Sequence, residues 1–467
     1  MKVSERVPSR TWVWVDRALF AAGVFLLAVL IVAASRANLV ADSVDYYVNL
    51  QRLVSPEEPP IVRNPHFAEQ RSPGYSLAAL VPFGLLTIAV EPWVATEVVE
   101  ANPPAGPQGP GSEFRQIPPQ AIRFLDVPFK DFEVPGEGSW YRWKTALALG
   151  LTSYGFLFLG LAAGALALRR RHPGFPGYSL VLLVVIGSPV FLQEVFVTPL
   201  YATLTAFGAS ALFALFFLRG FETRRTGDLL AAGLFLGLLV LARLETGVLA
   251  AAVGIALLVK REWRLLAKLV LGSSWAFLAW GAFNLVLFDT PLHFALLEGD
   301  INRLALDGGY IFNALIHPAS GILIWSPLII LGLAGLVMSR STPLRMLGAS
   351  SAVLVLLYLV RVPVMAWNVG GGPMEIGGLP VTPPSTVEAL RELIRSDMNR
   401  YLTVLAPFAV LGLRDLLGRI WAMWRSNSSS ETRQKRRAKS RSASSSSPSP
   451  GPYTPSLRRP LPKLRNS

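Results

Sequence analysis

Apolar residues run along this chain in long blocks, separated by short polar connections that are mostly basic. A bilayer-spanning helix needs ~20 predominantly apolar residues. Ten blocks fit that length or approach it: Arg17–Ser35, Thr145–Leu168, Gly177–Leu192, Val195–Leu218, Leu229–Leu241, Gly247–Val259, Leu265–Phe288, Ala319–Met338, Leu347–Leu359 and Tyr401–Trp421. The fifth, sixth and ninth are short. The fifth and sixth meet at Arg243-Leu244-Glu245, which is compatible with a tight hairpin as well as with two full spans. An eleventh block, Tyr75–Val90, contains Pro82 and Gly84 and suits a broken surface helix better than a straight span. If it spanned, Arg169-Arg170-Arg171 would fall outside, against the positive-inside rule. Read as interfacial, it leaves every basic connection on one side: Arg169–Arg171, Arg219 with Arg224-Arg225, Lys260-Arg261 with Arg264, Arg340 with Arg345, and the C-terminal tail. The pattern therefore predicts an all-α polytopic membrane protein with about ten transmembrane helices, both termini cytoplasmic, and interfacial helices in a long first external loop.

Aromatic residues mark the same boundaries. Trp12 and Trp14 open the first block, Trp140, Tyr141 and Trp143 precede the second, and Trp421 and Trp424 close the last. The residues that follow the first block carry candidate chemistry, so it is read as an anchor rather than a cleaved signal. The expected organisation is a transmembrane body over residues 1–425 and a tail over residues 426–467. The external loops cover residues 36–144, 289–318 and 361–400. Residues 101–111 are rich in Pro and Gly, and the tail is a Ser/Arg/Pro-rich segment of low complexity.

Composition agrees with this picture. Of 467 residues, 52% are hydrophobic and 16% charged, against about 25% charged in soluble chains. The net charge of +14 sits largely in the tail: from Ser426 onward ten residues are basic and only Glu431 is acidic, a net of +9. The basic balance is thus a property of the tail. A single aromatic residue, Tyr453, lies among its cations, too few for a nucleic-acid stacking platform, and no nucleic-acid partner is expected. Cysteine is absent, which excludes disulfides, thiolate nucleophiles and Cys-ligated metals.

The first loop opens with Asp42-Ser43-Val44-Asp45-Tyr46-Tyr47. As a helix, this segment places Asp42, Asp45, Asn49 and Arg52 on one face and Val44, Tyr47, Val48 and Leu50 on the other. That is the pattern of an amphipathic helix at a membrane surface with carboxylates aimed into a polar cavity. A partly desolvated carboxylate there can take a proton from a sugar or lipid hydroxyl. Equally, the two acids can simply cap and solvate the helix. Arg71, before the Pro73-Gly74 turn, can hold a phosphate or snorkel to lipid headgroups. Arg243 costs roughly 2.5–3.5 kcal/mol if it lies at mid-membrane; function is one reason for it, and a mutual contact with Glu245 is the other. Arg400, at the head of the last block, can reach a phosphate or only anchor its helix. Gln193 and Glu194 line a cavity or form a solvated turn. His293, Arg303 and His317 in the second loop are open candidates for sugar or acceptor contact.

These motifs together resemble integral-membrane glycosyltransferases of the C superfamily (GT-C fold), in the branch of protein O-mannosyltransferases and aminoarabinose transferases. Asp42-Ser-x-Asp45-Tyr-Tyr after the first span, then Arg71-Ser-Pro-Gly-Tyr75-Ser-Leu, resembles "gDs-x-x-Y" followed by "P-x-G-Y". Gly237 to Glu245 is similar to "G-L-x-x-L-x-R-x-E", with Leu244 where Pro is usual. Ala282-Phe283-Asn284 with Phe288-Asp289-Thr290-Pro291, and the run His317 to Pro327, resemble two further segments. Asn399-Arg400-Tyr401-Leu402 with Pro407 resembles "x-R-Y-L-x-x-x-x-P". The matches keep their order over about residues 17 to 422.

The resemblance implies transfer of a sugar from a polyprenyl-phosphate-linked donor to a lipid, glycan or protein acceptor, inverting the anomeric centre. The family's first external acid is the base, which maps onto Asp42, with Asp45 the second candidate. The candidate substrate contacts are Arg71, Tyr75, Arg243, Glu245, Arg400 and Tyr401. No cofactor is expected. A divalent metal, held by clustered acids in some relatives, would have only Asp42, Asp45 and His66 here, few ligands for a hard cation. The expected setting is the bilayer of a bacterial plasma membrane. A secondary transporter or lipid flippase is the alternative, and an inactive relative a third reading. No internal repeat of the kind common in transporters is visible, and the candidate residues cluster outside the bilayer. The tail can attract anionic lipid or remain a solvated extension.

Overall fold

The computed structural model describes residues 10–34, 42–56, 73–100, 129–134, 138–171, 177–196, 199–291, 302–304, 308–316, 322–363, 374–376, 379–381, 402–421 and 423. The chain forms two compact units, Met1–Leu416 and Leu417–Ser467; the description below concerns the first. Its elements are α1 (Arg10–Ala34), α2 (Asp42–Val54), α3 (Gly74–Ala89), β1 (Glu97–Glu100), β2 (Lys130–Val134), β3 (Gly138–Tyr141), α4 (Trp143–Arg171), α5 (Gly177–Ile186) and α6 (Pro189–Phe196). They continue with α7 (Ala202–Thr223), α8 (Thr226–Ala242), α9 (Gly247–Val259), α10 (Trp263–Phe288), β4 (Asn302–Leu304), α11 (Gly308–Ile316), α12 (Ile322–Trp325), α13 (Pro327–Val337) and α14 (Thr342–Val360). Strands β5 (Arg361–Pro363), β6 (Met374–Ile376) and β7 (Leu379–Val381) follow, and a last helix, α15, begins at residue 406.

Among the described residues six helices are long and apolar enough to cross a membrane, including α1, α4, α7, α10 and α14, and three shorter apolar helices accompany them. The protein is a helical, polytopic membrane protein. Two of the expected spans are broken. Gly177–Leu192 parts at Gly187-Ser188 into α5 and α6. Ala319–Met338 parts at Ser326, where Pro327 opens α13 and has no N–H to continue the preceding helix. The expected joint at Arg243-Leu244-Glu245 is an extended Arg243 followed by a 3-10 turn, Leu244–Thr246.

The helices pack around one large apolar cluster built from α1, α4, α5, α7 to α10, α13, α14 and residues 402–413. α4, α7, α8 and α10 lie side by side in that order. Glycine allows α8 and α10 to cross closely: a Cβ at Gly233 would overlap the Leu269 carbonyl, and one at Gly272 the Leu230 carbonyl.

The basic connections gather at one end. There Arg171 pairs with Glu222 at 3.0 Å and bonds Ser341, while Arg224 pairs with Glu262 at 2.7 Å. Asp16 of α1 accepts from the Tyr178 and Ser179 amides at 3.0 and 2.9 Å and so caps α5. At the opposite end a second apolar cluster forms from α2, α3, β3 and the start of α4 and α7.

Helix α3 holds the block that was awkward in the sequence. With its 3-10 turn, Gly74–Trp93 is long and apolar enough to span. Its contacts lie with the start of α4. Tyr75 meets Leu149 and Ser153 of α4, while Phe83 and Glu91 meet Lys144. The helix thus runs against only the first turns of α4, starting about 24 Å from Arg169 at 1.5 Å per residue, and it heads away from the basic end.

A small sheet, not foreseen from the helical pattern, braces the same end. β1 pairs in parallel with β2, and β2 antiparallel with β3, with a register shift between Phe132 and Glu133. β4 pairs with β5 (Arg303 opposite Val362), which ties the expected second loop to the third. β6 and β7 form a hairpin within the third.

Candidate functional site

Asp42 is the first residue of α2, as the spacing predicts; its side chain lies outside the described residues. Asp45, on the same face, is 5% exposed and Asn49 is fully buried. Tyr47, Val48 and Leu50 are buried in the second apolar cluster. Both faces are therefore covered in the middle of the helix, so α2 is an inserted element rather than one lying on a surface with a solvated side. The Tyr47 hydroxyl accepts from the Arg142 amide at 2.6 Å, and Thr145 Oγ1 donates to Gln51 Oε1 at 2.6 Å. These two contacts hang α2 from the start of α4.

That start is itself fixed by Asp131 of β2, which accepts from the Trp143 amide at 3.0 Å and pairs with the Arg142 guanidinium at 2.8 Å. A carboxylate at a helix N-terminus satisfies an amide that the helix leaves unpaired. Burial pushes the Tyr141 phenol well above its usual range, with nearby Asp131 adding to the shift.

Pro73-Gly74 begins α3, as the turn signal predicts. Gly74 is required there, because a Cβ would overlap the backbone of Leu241 and Ala242 at the end of α8. The next residue, Tyr75, is fully buried. Its hydroxyl donates to the Leu149 carbonyl at 2.9 Å and accepts from Ser153 Oγ at 2.8 Å. Its ring meets Tyr46 of α2 edge-on at 5.1 Å, and Ser76 Oγ donates to the Tyr46 carbonyl at 3.0 Å. Tyr75 is thus enclosed, with its polar tip directed into the helix packing.

Ala242 leads directly to Arg243, which is 9% exposed. Its Nε donates to Glu245 Oε1 at 2.7 Å, and its Nη1 to Thr203 Oγ1 at 3.1 Å. The i, i+2 pairing is possible because Arg243 is extended and Glu245 sits in the following 3-10 turn. The mutual Arg–Glu contact, one of the two sequence readings, is present. Thr203 carried no sequence signal, since it lies in an otherwise apolar helix. Ser153 Oγ, 3.4 Å from the Tyr201 carbonyl, links the two sides. A closed circuit results: Tyr46 of α2, Tyr75-Ser76 of α3, the end of α8 with Arg243, Thr203 of α7 with Tyr201 just before it, and Ser153 of α4.

Glu194 corrects an expectation. It is 3% exposed inside α6, so the reading of a solvated turn at Gln193-Glu194 does not hold. Proline 189 starts a helix that carries this acid inward. The buried acids at the basic end have evident structural partners instead: Asp16 caps α5, and Asp228 pairs with Arg219 at 2.9 Å. Among the described residues no three His, Asp or Glu side chains come together as a metal-binding set. Arg71, His66, His293, His317, Arg400 and Tyr401 lie outside the described residues.

No protein-family model matches the chain, and no curated protein is significantly similar to it. Two solved structures are similar in fold. One is ArnT from Cupriavidus metallidurans bound to undecaprenyl phosphate, with TM-score 0.48 and 14% identity over 86% of this chain. The other is the same ArnT in the apo state, with TM-score 0.46 and 14% identity over 89% of this chain. The chain spans 60% and 62% of the length of those ArnT chains.

Proposed function

We propose that the protein is an integral-membrane glycosyltransferase that moves a sugar from a polyprenyl-phosphate-linked donor to a hydroxyl acceptor, with Asp45 or Asp42 as base. The observation that supports this reading is Asp45: a carboxylate buried on α2 at the end of the bundle away from the basic connections, next in sequence to Tyr46, which packs on Tyr75. The positive-inside rule puts the basic end in the cytoplasm, so the circuit faces outward and both termini inward. Of the GT-C-like motif residues of the sequence, Gly74, Tyr75, Arg243 and Glu245 belong to this circuit, which supports the reading.

The chemistry runs as a direct displacement. The carboxylate removes the proton from the acceptor hydroxyl, and the acceptor oxygen forms a bond to the anomeric carbon from the face opposite the lipid. The polyprenyl phosphate departs with the bonding pair. A guanidinium beside the departing phosphate stabilises its charge; Arg243 has that role here, with Arg71, Arg400 and Tyr401 as further candidate substrate contacts. Glu245 and Thr203 hold the Arg243 fork in one orientation. Tyr75 acts as a positioning residue, fixing α2 through Tyr46.

Purified protein given radiolabelled polyprenyl-phosphate sugar and a hydroxyl acceptor tests this. Wild type should form labelled product. Asp45→Asn or Asp42→Asn, whichever is the base, should lose activity by about 10²–10⁴-fold while still retaining the donor. Full transfer by both variants would remove the acidic base. Uptake of an intact substrate into proteoliposomes, with no bond cleaved, would replace the enzyme by a transporter.

A further inference from the structure

Some cations at the basic end are matched by acids: Arg171 with Glu222, Arg219 with Asp228, Arg224 with Glu262. Others, such as Arg169, Arg170, Arg340 and Arg345, have no ion pair among the described residues. The turn from α9 to α10 gathers the largest group of these unmatched cations. It contains Lys260, Arg261, Glu262, Trp263 and Arg264, with Lys268 one turn further on. Its single acid, Glu262, is occupied from another connection: both Arg224 Nη atoms donate to it, at 2.7 and 2.8 Å. That bidentate bond holds the Glu262 carboxyl below its usual range. Lys260, Arg261 and Arg264 are exposed, and no ion pair is found for them, for Lys268 or for the neighbouring Arg225 among the described residues.

A second feature adjoins this cluster. Trp263 is 61% exposed at the first position of α10, the level at which indole rings favour a membrane interface. From it an exposed apolar ladder descends α10 through Val270, Leu271, Phe277 and Leu278, each more than half exposed. Cations, an interfacial indole and an apolar wall thus follow one another in the order of a headgroup, a glycerol region and acyl chains.

We infer that the α9–α10 turn is a binding site for an anionic glycerophospholipid. The phosphate lies among Arg261, Arg264, Lys260 and Arg225, and the acyl chains lie along α10. This site is at the opposite end of the bundle from the proposed sugar-transfer site and does not depend on that reading. Glu262 sets its strength, because the Arg224 pairing keeps the one local carboxylate turned to another cation. Each basic residue near an anionic surface is worth about a fivefold gain in affinity.

The test uses the full-length protein in neutral detergent, titrated with short-chain phosphatidylglycerol or phosphatidylcholine and read by native mass spectrometry. Wild type should retain phosphatidylglycerol and not phosphatidylcholine. The triple variant Lys260→Ser, Arg261→Gly, Arg264→Gln should weaken retention on the order of a hundredfold; glycine suits position 261, where φ is 58°. Arg340→Gln with Arg345→Gln, on the α13–α14 connection, should change it less than twofold. Equal weakening by the two sets would show diffuse attraction only and overturn the site. So would displacement of the lipid by millimolar inorganic phosphate, which would mark a site for the free ion. Circular dichroism of the triple variant, matching wild type, separates loss of the site from loss of fold.

Discussion

The membrane bundle and the cap of α2, α3 and the small sheet are held together by different means. The bundle is Leu, Val, Phe and Ala around glycine contacts, with hydroxyls such as Ser210 and Thr152 bonded back to helix carbonyls. The cap is aromatic, and its rings carry polar tips that make long-range bonds: Tyr47 with Arg142, Tyr75 with Leu149, Trp143 with Thr96 at 3.2 Å. The difference follows from the surroundings. Lipid tails supply no hydrophobic drive between helices, so small residues and close packing do that work. At the edge of the bilayer, amphipathic rings can bury a face and still bond a polar group.

That contrast can be broken or sharpened in graded steps. The largest effect is expected from Gly233→Leu, whose side chain would collide with the α10 backbone. It should lower bundle stability by about 3 kcal/mol, the upper end for overpacked interiors, seen as a lower Tm in detergent. Asp131→Ala comes next. It removes the cap of α4 and the partner of Arg142, at about 2 kcal/mol. Proteolysis should increase around residues 129–141 while the bundle Tm holds. A parallel fall of both would show that cap and bundle unfold as one body. Tyr75→Phe deletes one hydroxyl between α3 and α4 and should cost about 1 kcal/mol, with transfer activity reduced far less than in the Asp variants.

The smallest step concerns acid. The Glu262 carboxyl sits below its usual range because Arg224 bonds it. Its contribution is therefore full above the unfolded carboxylate value of about 4.3 and is lost as pH falls through the lower folded value. A slight drop in Tm below about pH 4, absent in Arg224→Ala, would show it; an identical acid response in both proteins would remove the pair from the account.

Much of the fold was legible. Apolar blocks long enough to span gave α1, α4, α7, α10 and α14, because in lipid a continuous apolar run must close its own backbone bonds as a helix. Breaks at Gly187-Ser188 and Ser326-Pro327 were less visible, since the flanking residues stay apolar and hydropathy averages over them. The period of α2 was legible too, down to Asp42 and Asp45 on one face. What that face meets was not, and Asn49 proved as buried as Tyr47. The sheet escaped notice because β1 is separated from β2 by almost thirty residues, and a pairing of that range leaves no local pattern.

Taken alone, the order of residues determined the membrane-embedded helical body, the gathering of positive charge at one end, a joint at Arg243 and the candidate acids. Those are local or additive properties: helix period, block length and charge all sum along the chain. The tertiary structure alone decided that α3 starts against the end of α8, that Thr203 receives the Arg243 guanidinium, that Glu194 turns inward and that Arg224 takes Glu262 away from its own turn. Each of these joins residues distant in sequence, and such contacts depend on how helices cross, which no single segment encodes.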